Sequence, residues 1–100
     1  MVKHIVIWKL KETALGNDKA ANARLAKEKL EALNGKIPGL LKLEVGIDFL
    51  RADSSGDMVL YSELESREAL AVYREHPLHK EAGTFIREVV CGRTSADYVC

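Results

Sequence analysis

Apolar and polar residues alternate in two parts of the chain in a way that predicts β-strands. The segment Lys3–Leu10 is short, rich in Val, Ile and Trp, and apolar on both sides of an extended chain, which favours a strand. Over residues 41–49 every second residue is apolar, and this period of two predicts a strand with one buried face. The apolar positions of that face are Leu41, Leu43, Val45, Ile47 and Phe49. After a turn at 53–57, Met58–Leu64 is expected to form a further strand, antiparallel to the strand at 41–49 if the turn makes a hairpin.

A spacing of three or four residues predicts helices in the intervening segments. Gly16-Asn17-Asp18 is a break with helix-capping residue types. From Asp18 to Leu33 the apolar residues lie on one side and Lys and Glu fill the other, which is typical of an amphipathic helix. Ser66 can cap a second helix, which Pro77 interrupts because proline disfavours a helical conformation in the residue before it. Pro77 also suits the first position of a new helix, expected to end at Gly92, before a short strand at 94–99.

The resulting order is β-α-β-β-α-β, with the second helix broken at the proline. This order predicts an α+β, ferredoxin-like fold in a single domain, residues 1–100, with helices covering one face of one antiparallel sheet. Ile5 and Ile7 alternate with the residues that face the helices, so something must cover the other face of the sheet. A second copy of the same sheet is the simplest candidate, which predicts a homodimer.

The composition limits which binding partners and which cell compartment are expected for the protein. The chain has 15 Lys+Arg and 15 Asp+Glu, and this zero formal charge gives no support to a nucleic-acid or anionic-membrane partner. No stretch approaches the roughly 20 apolar residues of a membrane span, and the start does not read as a signal peptide. We therefore expect a reducing, cytoplasmic setting for Cys91 and Cys100. Cys91 follows Val89-Val90 and is expected to be a small buried hydrophobic residue.

The histidines are the candidates for chemistry. His79 is the strongest candidate, because an imidazole with a pKa of about 6.5 can exchange a proton with the carbon next to a carbonyl. Tyr73 could donate a hydrogen bond to that carbonyl or orient His79. The alternative is structural: both side chains pack beside the break at Pro77, and His79 hydrogen-bonds a backbone carbonyl.

The other histidines are expected to have smaller roles. His4 alternates with Val6 and Trp8, so it faces the interior, either as a hydrogen-bonded core residue or as part of a pocket. His76 precedes the proline and is expected to cap a helix. No Cys or acidic cluster with the spacing of a zinc site accompanies these residues, and no phosphate-binding loop or nucleophile elbow is present. The sequence therefore predicts neither a metal nor a cofactor.

Two segments and the order of elements together resemble a known family. The opening Met1–Val6, the segment His76-Pro77-Leu78-His79 and the β-α-β-β-α-β order resemble the stress-responsive A/B barrel (Dabb) family over nearly the whole chain. The resemblance implies that the open sheet packs against a partner's sheet to form a dimeric α+β barrel. The family includes stress-associated plant proteins that form oligomers, uncharacterised bacterial proteins and a plant polyketide cyclase.

The resemblance to that cyclase implies roles for particular residues. Tyr73 matches the cyclase tyrosine and His79 the catalytic histidine, which together carry an aldol-type ring closure. His4 matches a pocket histidine, whereas a further pocket histidine falls near Met58 here, in a strand without histidine. This departure puts conversion of a polyketide in doubt, although Trp8 and Met58 are still expected to line a pocket with His4.

Three functions remain open from the sequence. The first is an enzyme or binder for a small hydrophobic carbonyl compound, with cofactor-free acid/base chemistry through His79 and Tyr73. The second is a non-catalytic, stress-related oligomer in which side chains fill the cavity. The third, a cofactor-independent monooxygenase activity, rests on analogy with neighbouring dimeric barrels alone.

Overall fold

The computed structural model describes all 100 residues and has the predicted order of elements. A short hairpin of β2 (Thr13–Ala14) and β3 (Asn17–Asp18), which was not predicted, precedes the first helix. The elements are β1 (Val2–Leu10), β2 (Thr13–Ala14), β3 (Asn17–Asp18), α1 (Lys19–Glu31), β4 (Leu40–Ile47), β5 (Met58–Leu64), α2 (Arg67–Glu75), α3 (Pro77–Val89) and β6 (Val90–Val99).

Four strands form one antiparallel sheet in the order β4-β5-β1-β6, which confirms the ferredoxin-like fold. β1 is central, and its Val6 lies opposite Leu60 of β5 and Ser95 of β6. The side chains of β1 that point to the helices are buried, and with α1, α2 and α3 they enclose the hydrophobic core.

Helix starts follow the predicted capping residues. Asp18 precedes α1 and its side chain accepts a hydrogen bond from the Ala21 amide at 2.8 Å. Ser66 does the same for α2, accepting from the Ala69 amide at 3.1 Å. These side chains satisfy amide groups that have no partner within the helix.

The break between α2 and α3 lies at His76 and Pro77. His76 has an extended backbone, with ψ of 135°, and its Nδ1 accepts a hydrogen bond from the Leu78 amide at 3.1 Å. His76 is therefore the helix cap that the sequence predicted. Pro77 occupies the first position of α3, where its missing N–H costs no helical hydrogen bond. The chain changes direction here, so that α2 and α3 are two separate helices.

The buried face predicted for the strand at 41–49, which is β4, is only partly correct. β4 ends at Ile47, and Phe49, which was expected on the buried face, is 90% exposed beyond the strand. The pairing register shifts between Leu40 and Lys42, so Leu41 is an extra residue in the strand and its side chain is exposed. A single inserted residue changes which side chains face the core, because alternation has a period of two.

The last strand is longer than predicted. α3 ends at Val89 and β6 begins at Val90, so Cys91 and Gly92 belong to the strand. Cys91 is exposed, which contradicts the expectation of a buried residue. The reason is that β6 is an edge strand with β1 as its only neighbour, and little of it is covered.

The face of the sheet away from the helices is open. Ile5 and Ile7 point to it, and Ile7 is 43% exposed. The register places Tyr61 and Ala96 beside Ile5 on this face, and Val59 beside Ile7. The expectation that helices cover only one face is confirmed. The helices themselves are too short and too polar to cross a membrane.

Candidate functional site

A cavity of about 170 Å³ lies between the helices and the covered face of the sheet. Tyr73 reaches it from the end of α2, His79 from the start of α3, and His4 from β1. Most of the remaining wall is apolar and consists of Val6, Trp8, Leu30, Leu60, Ile86 and Val90. The cavity is comparable in size to one of about 150 Å³ that holds benzene.

Tyr73 and His79 are in direct contact at this cavity. Their ring centroids are 4.4 Å apart and the ring planes are inclined at 51°. Tyr73 is only 1% exposed, and burial raises the pKa of its hydroxyl above the usual value. That hydroxyl has no hydrogen-bond partner within the protein. Every completely buried polar side-chain atom of the protein does have such a partner. The Tyr73 hydroxyl is therefore not sealed, and its proton is free to bind a group in the cavity.

His79 is half-buried and its tautomer follows from its partner. Its Nδ1 lies 3.2 Å from the backbone carbonyl oxygen of Arg74, which can only accept a hydrogen bond. Nδ1 therefore carries the hydrogen, and Nε2 has a free lone pair. Burial lowers the pKa of His79, the hydrogen bond to the Arg74 carbonyl raises it, and the charges of Arg74 and Arg87 lower it again. The net shift is downward, so the neutral ring prevails at pH 7.

This geometry matches both interpretations of His79 in part. The bond to a backbone carbonyl is the one that the structural alternative predicts. However, the space beside the ring is not filled by core side chains, and His4, Tyr73 and His79 share one cavity. The carbonyl bond uses Nδ1 alone, and it fixes the orientation of the ring with Nε2 unpaired.

His4 is held in place by a carboxylate that the sequence analysis did not single out. It is buried, and its Nδ1 forms a short hydrogen bond with Oδ1 of Asp97, which lies directly opposite on β6. The ring of His4 meets the ring of Tyr73 edge-on, with centroids 6.0 Å apart. The alternation of the last strand opposite β1 was the available signal for Asp97, but the pairing register could not be read from the sequence.

Trp8 and Met58, both predicted to line the pocket with His4, lie at different sites in the structure. Trp8 lines the cavity, whereas Met58 does not. Met58 lies beside Trp8 in the sheet, and it borders a separate groove with Ile47 and Phe49 at the loop end of the β4–β5 hairpin. The residue of β5 directly opposite His4 is Ser62. The expectation that Met58 shares a pocket with His4 therefore has to be corrected.

Two arginines complete the cavity and were not predicted. Arg87 of α3 and Arg93 of β6 are exposed at its rim. No acidic side chain lines the cavity, and no three His, Cys, Asp or Glu side chains of the protein converge as a metal site would require.

A larger cleft of about 740 Å³ beside the start of α1 has a different character. Its charged residues pair with one another, for example Lys19 with Glu12 and Asp57. It has no histidine, so the smaller cavity is the better candidate for proton-transfer chemistry.

Fold and cavity together define a ferredoxin-like α+β protein with a Tyr–His pair in an apolar cavity under the helices. The chain belongs to the stress-responsive A/B barrel (Dabb) family, whose model matches residues 2–100. The comparison with curated proteins finds no match.

Solved structures share this fold. The chain is 34% identical to a protein of Bacteroides fragilis described as dimeric, of unknown function and with a ferredoxin-like fold, with a TM-score of 0.84 over 97% of this chain and 93% of the other. A Dabb family protein of Mesorhizobium loti is 20% identical, with a TM-score of 0.69 over 99% and 95% of the chains. A putative antibiotic biosynthesis monooxygenase of Nitrosomonas europaea is 19% identical, with a TM-score of 0.77 over 100% and 98%. The last two likenesses concern the fold alone.

Proposed function

We propose that this protein binds a small hydrophobic carbonyl compound in the cavity under its helices and catalyses cofactor-free proton transfer on it, as a cyclase or lyase does. The observation that carries the proposal is the free hydroxyl of Tyr73 beside the unpaired Nε2 of His79. A hydrogen-bond donor and a neutral base at one apolar cavity are the two groups that enolisation of a ketone requires.

The chemistry assigns one role to each residue. The Tyr73 hydroxyl donates a hydrogen bond to the carbonyl oxygen, and its raised pKa keeps it protonated at neutral pH. Nε2 of His79 takes the proton from the adjacent carbon, and the electron pair of that C–H bond forms the enol or enolate. The enolate carbon then attacks a second carbonyl in a ring closure, and the imidazolium gives its proton to the alkoxide that forms. Without a second carbonyl, the carbon regains the proton from the imidazolium. His4, held by Asp97, positions the Tyr73 ring.

The experiment is exchange of the methyl protons of acetophenone in D₂O, followed by proton NMR. We expect the protein to accelerate exchange over buffer, His79→Gln to abolish the acceleration, and Tyr73→Phe to reduce it. The effect of His79→Gln should reach about 100-fold or more, the usual contribution of a general base. The matched control is His76→Asn, which removes a histidine outside the cavity and keeps a capping side chain. Equal exchange with wild type and His79→Gln would contradict the proposal.

Dimerisation through the open face of the sheet is part of the proposal. It is supported by the uncovered side chains of Ile5 and Ile7 and by the dimeric state described for the Bacteroides fragilis protein. The two sheets would then form the α+β barrel. We place the protein in the cytoplasm, on the sequence argument above.

A non-catalytic, stress-related oligomer is the second candidate. The observation that favours it is the bond from His79 to the Arg74 carbonyl, which gives the imidazole a structural role. The deuterium-exchange experiment separates the two, because an oligomer of this kind accelerates nothing. A monooxygenase activity has only the fold of the neighbouring structures behind it.

A further inference from the structure

We propose that the ligand of this cavity is a keto acid, whose carboxylate is held at the rim by Arg87 and Arg93. This inference rests on the proposed function and specifies its substrate class. The reactive carbonyl would lie at Tyr73 and His79, and the carboxylate toward solvent.

The two arginines converge on one cavity from different elements, α3 and β6. None of the ion pairs of the protein involves either of them. Their contacts are weak and neutral: Arg87 Nη2 lies 3.3 Å from Thr84 Oγ1, and Arg93 Nη1 lies 3.3 Å from Ser95 Oγ. Two guanidinium groups with free donors suit a carboxylate, which they can hold by charge-assisted hydrogen bonds.

Spacing along α3 places Arg87 in line with the reactive pair. His79, Gly83 and Arg87 are four residues apart, so they follow one face of the helix. Gly83 has no side chain, and a Cβ added there would lie 3.2 Å from Nη1 of Arg87. The guanidinium therefore folds back over Gly83, toward His79. A ligand in the cavity can reach both the guanidinium and His79 when its carbonyl and carboxylate are about one helical turn apart, roughly 5 Å.

Arg93 approaches from the sheet side. It lies opposite Trp8 in the register, on the face that carries His4 and the cavity. This is the face turned away from Ile5 and Ile7, so a partner on the open face would leave Arg93 accessible. The rim is then positive from two sides.

The charges around His79 also favour an anionic ligand. The guanidinium groups of Arg74 and Arg87 contribute positive charge at His79, and each lowers its pKa. A bound carboxylate would offset this field, whereas a neutral ligand would leave it unbalanced. An anionic ligand is thus the electrostatic complement of the cavity.

The test compares two probes that differ only in charge: β-benzoylpropanoate, an aryl keto acid, and its neutral amide. Dissociation constants are measured by calorimetry for wild type, Arg87→Gln, Arg93→Gln and the control Arg67→Gln, an exposed arginine that does not line the cavity. We expect the acid to bind wild type about tenfold or more tightly than the amide, the advantage of a charge-assisted hydrogen bond. Each rim substitution should weaken binding of the acid and leave the amide unchanged, while Arg67→Gln changes neither.

The outcomes separate this inference from the proposed function. If acid and amide bind wild type equally, or if Arg67→Gln weakens the acid as much as the rim substitutions do, the carboxylate assignment is wrong and the carbonyl site stands. If neither probe binds, both the keto-acid inference and the binding part of the proposed function are overturned.

Discussion

Tyr73 and His79 lie on opposite sides of the break at Pro77, yet their ring centroids are only 4.4 Å apart. In an unbroken α-helix, residues six apart point about 120° away from each other around the axis. The extended backbone of His76 removes that constraint, and α3 starts in a new direction. The break is therefore what allows both rings to reach one cavity.

Removing the Tyr73 hydroxyl should cost little stability. Since no protein group bonds this hydroxyl, Tyr73→Phe should change the free energy of unfolding by less than about 0.5 kcal/mol. Tyr73→Ala, which deletes a buried ring, should cost about 3–5 kcal/mol. Urea denaturation of the three proteins measures both values. A loss above about 1.5 kcal/mol for the phenylalanine variant would show that the hydroxyl has a structural partner.

The lowered pKa of His79 predicts a specific dependence of stability on pH. Its folded pKa lies below the unfolded value of about 6.5, so the unfolded state binds more protons between the two values. Stability is therefore complete above about pH 6.5 and falls as the pH drops from there toward the folded pKa. Denaturation at about pH 7.5 and about pH 5.5 should show a smaller loss for His79→Gln than for wild type. An NMR titration of His79 with a midpoint above the ordinary value would contradict this.

Asp97 should act as a positioning residue through His4. Asp97→Asn weakens a partly exposed hydrogen bond to His4, and we expect a loss of about 1 kcal/mol in the free energy of unfolding. Because the Tyr73 ring contacts His4, the exchange rate should fall while the affinity for the ketone changes little. Asp53→Asn, in an exposed turn, is the control for a change of charge. A rate unchanged by Asp97→Asn would leave Asp97 with a purely structural role.

A charge on the open face of the sheet should separate the dimer. Sedimentation at micromolar concentration should give twice 11.1 kDa for wild type. Ile7→Glu should give the monomer, since burying an unpaired carboxylate between two sheets is costly. Val72→Glu is matched to it, because Val72 of α2 is similarly exposed at 48% but lies off the sheet. A wild-type monomer, or a dimer that survives Ile7→Glu, would rule out this interface.

Trp8 should report occupancy of the cavity. It is the one tryptophan of the chain and it lines the cavity wall. An aryl ketone bound there should quench its emission in a saturable way, with a midpoint equal to the dissociation constant from calorimetry. Quenching that rises linearly with ketone and never saturates would indicate collision in solution and no bound state.

Local sequence patterns predicted much of the secondary structure of this protein. The order of the elements, the caps at Asp18 and Ser66, and the break at Pro77 depend on neighbouring residues and were predicted correctly. Tyr73 and His79 were singled out mainly through the family resemblance, and the structure brings their rings together at one cavity. The family also followed from short motifs at fixed separation.

Only the tertiary structure decided which distant side chains meet. Asp97 is 93 residues from His4, and their contact depends on the register between β1 and β6. The pairing of β1 with β5 places Ser62 opposite His4 and Met58 further along the strand, and the bulge at Leu41 exposes a side chain that was expected on the buried face. Pairing register is set by packing over the whole sheet, and a shift of one residue turns every side chain to the other face. For that reason the sequence determined the elements and pointed to Tyr73 and His79, while the folded sheet determined which other side chains join them at the cavity.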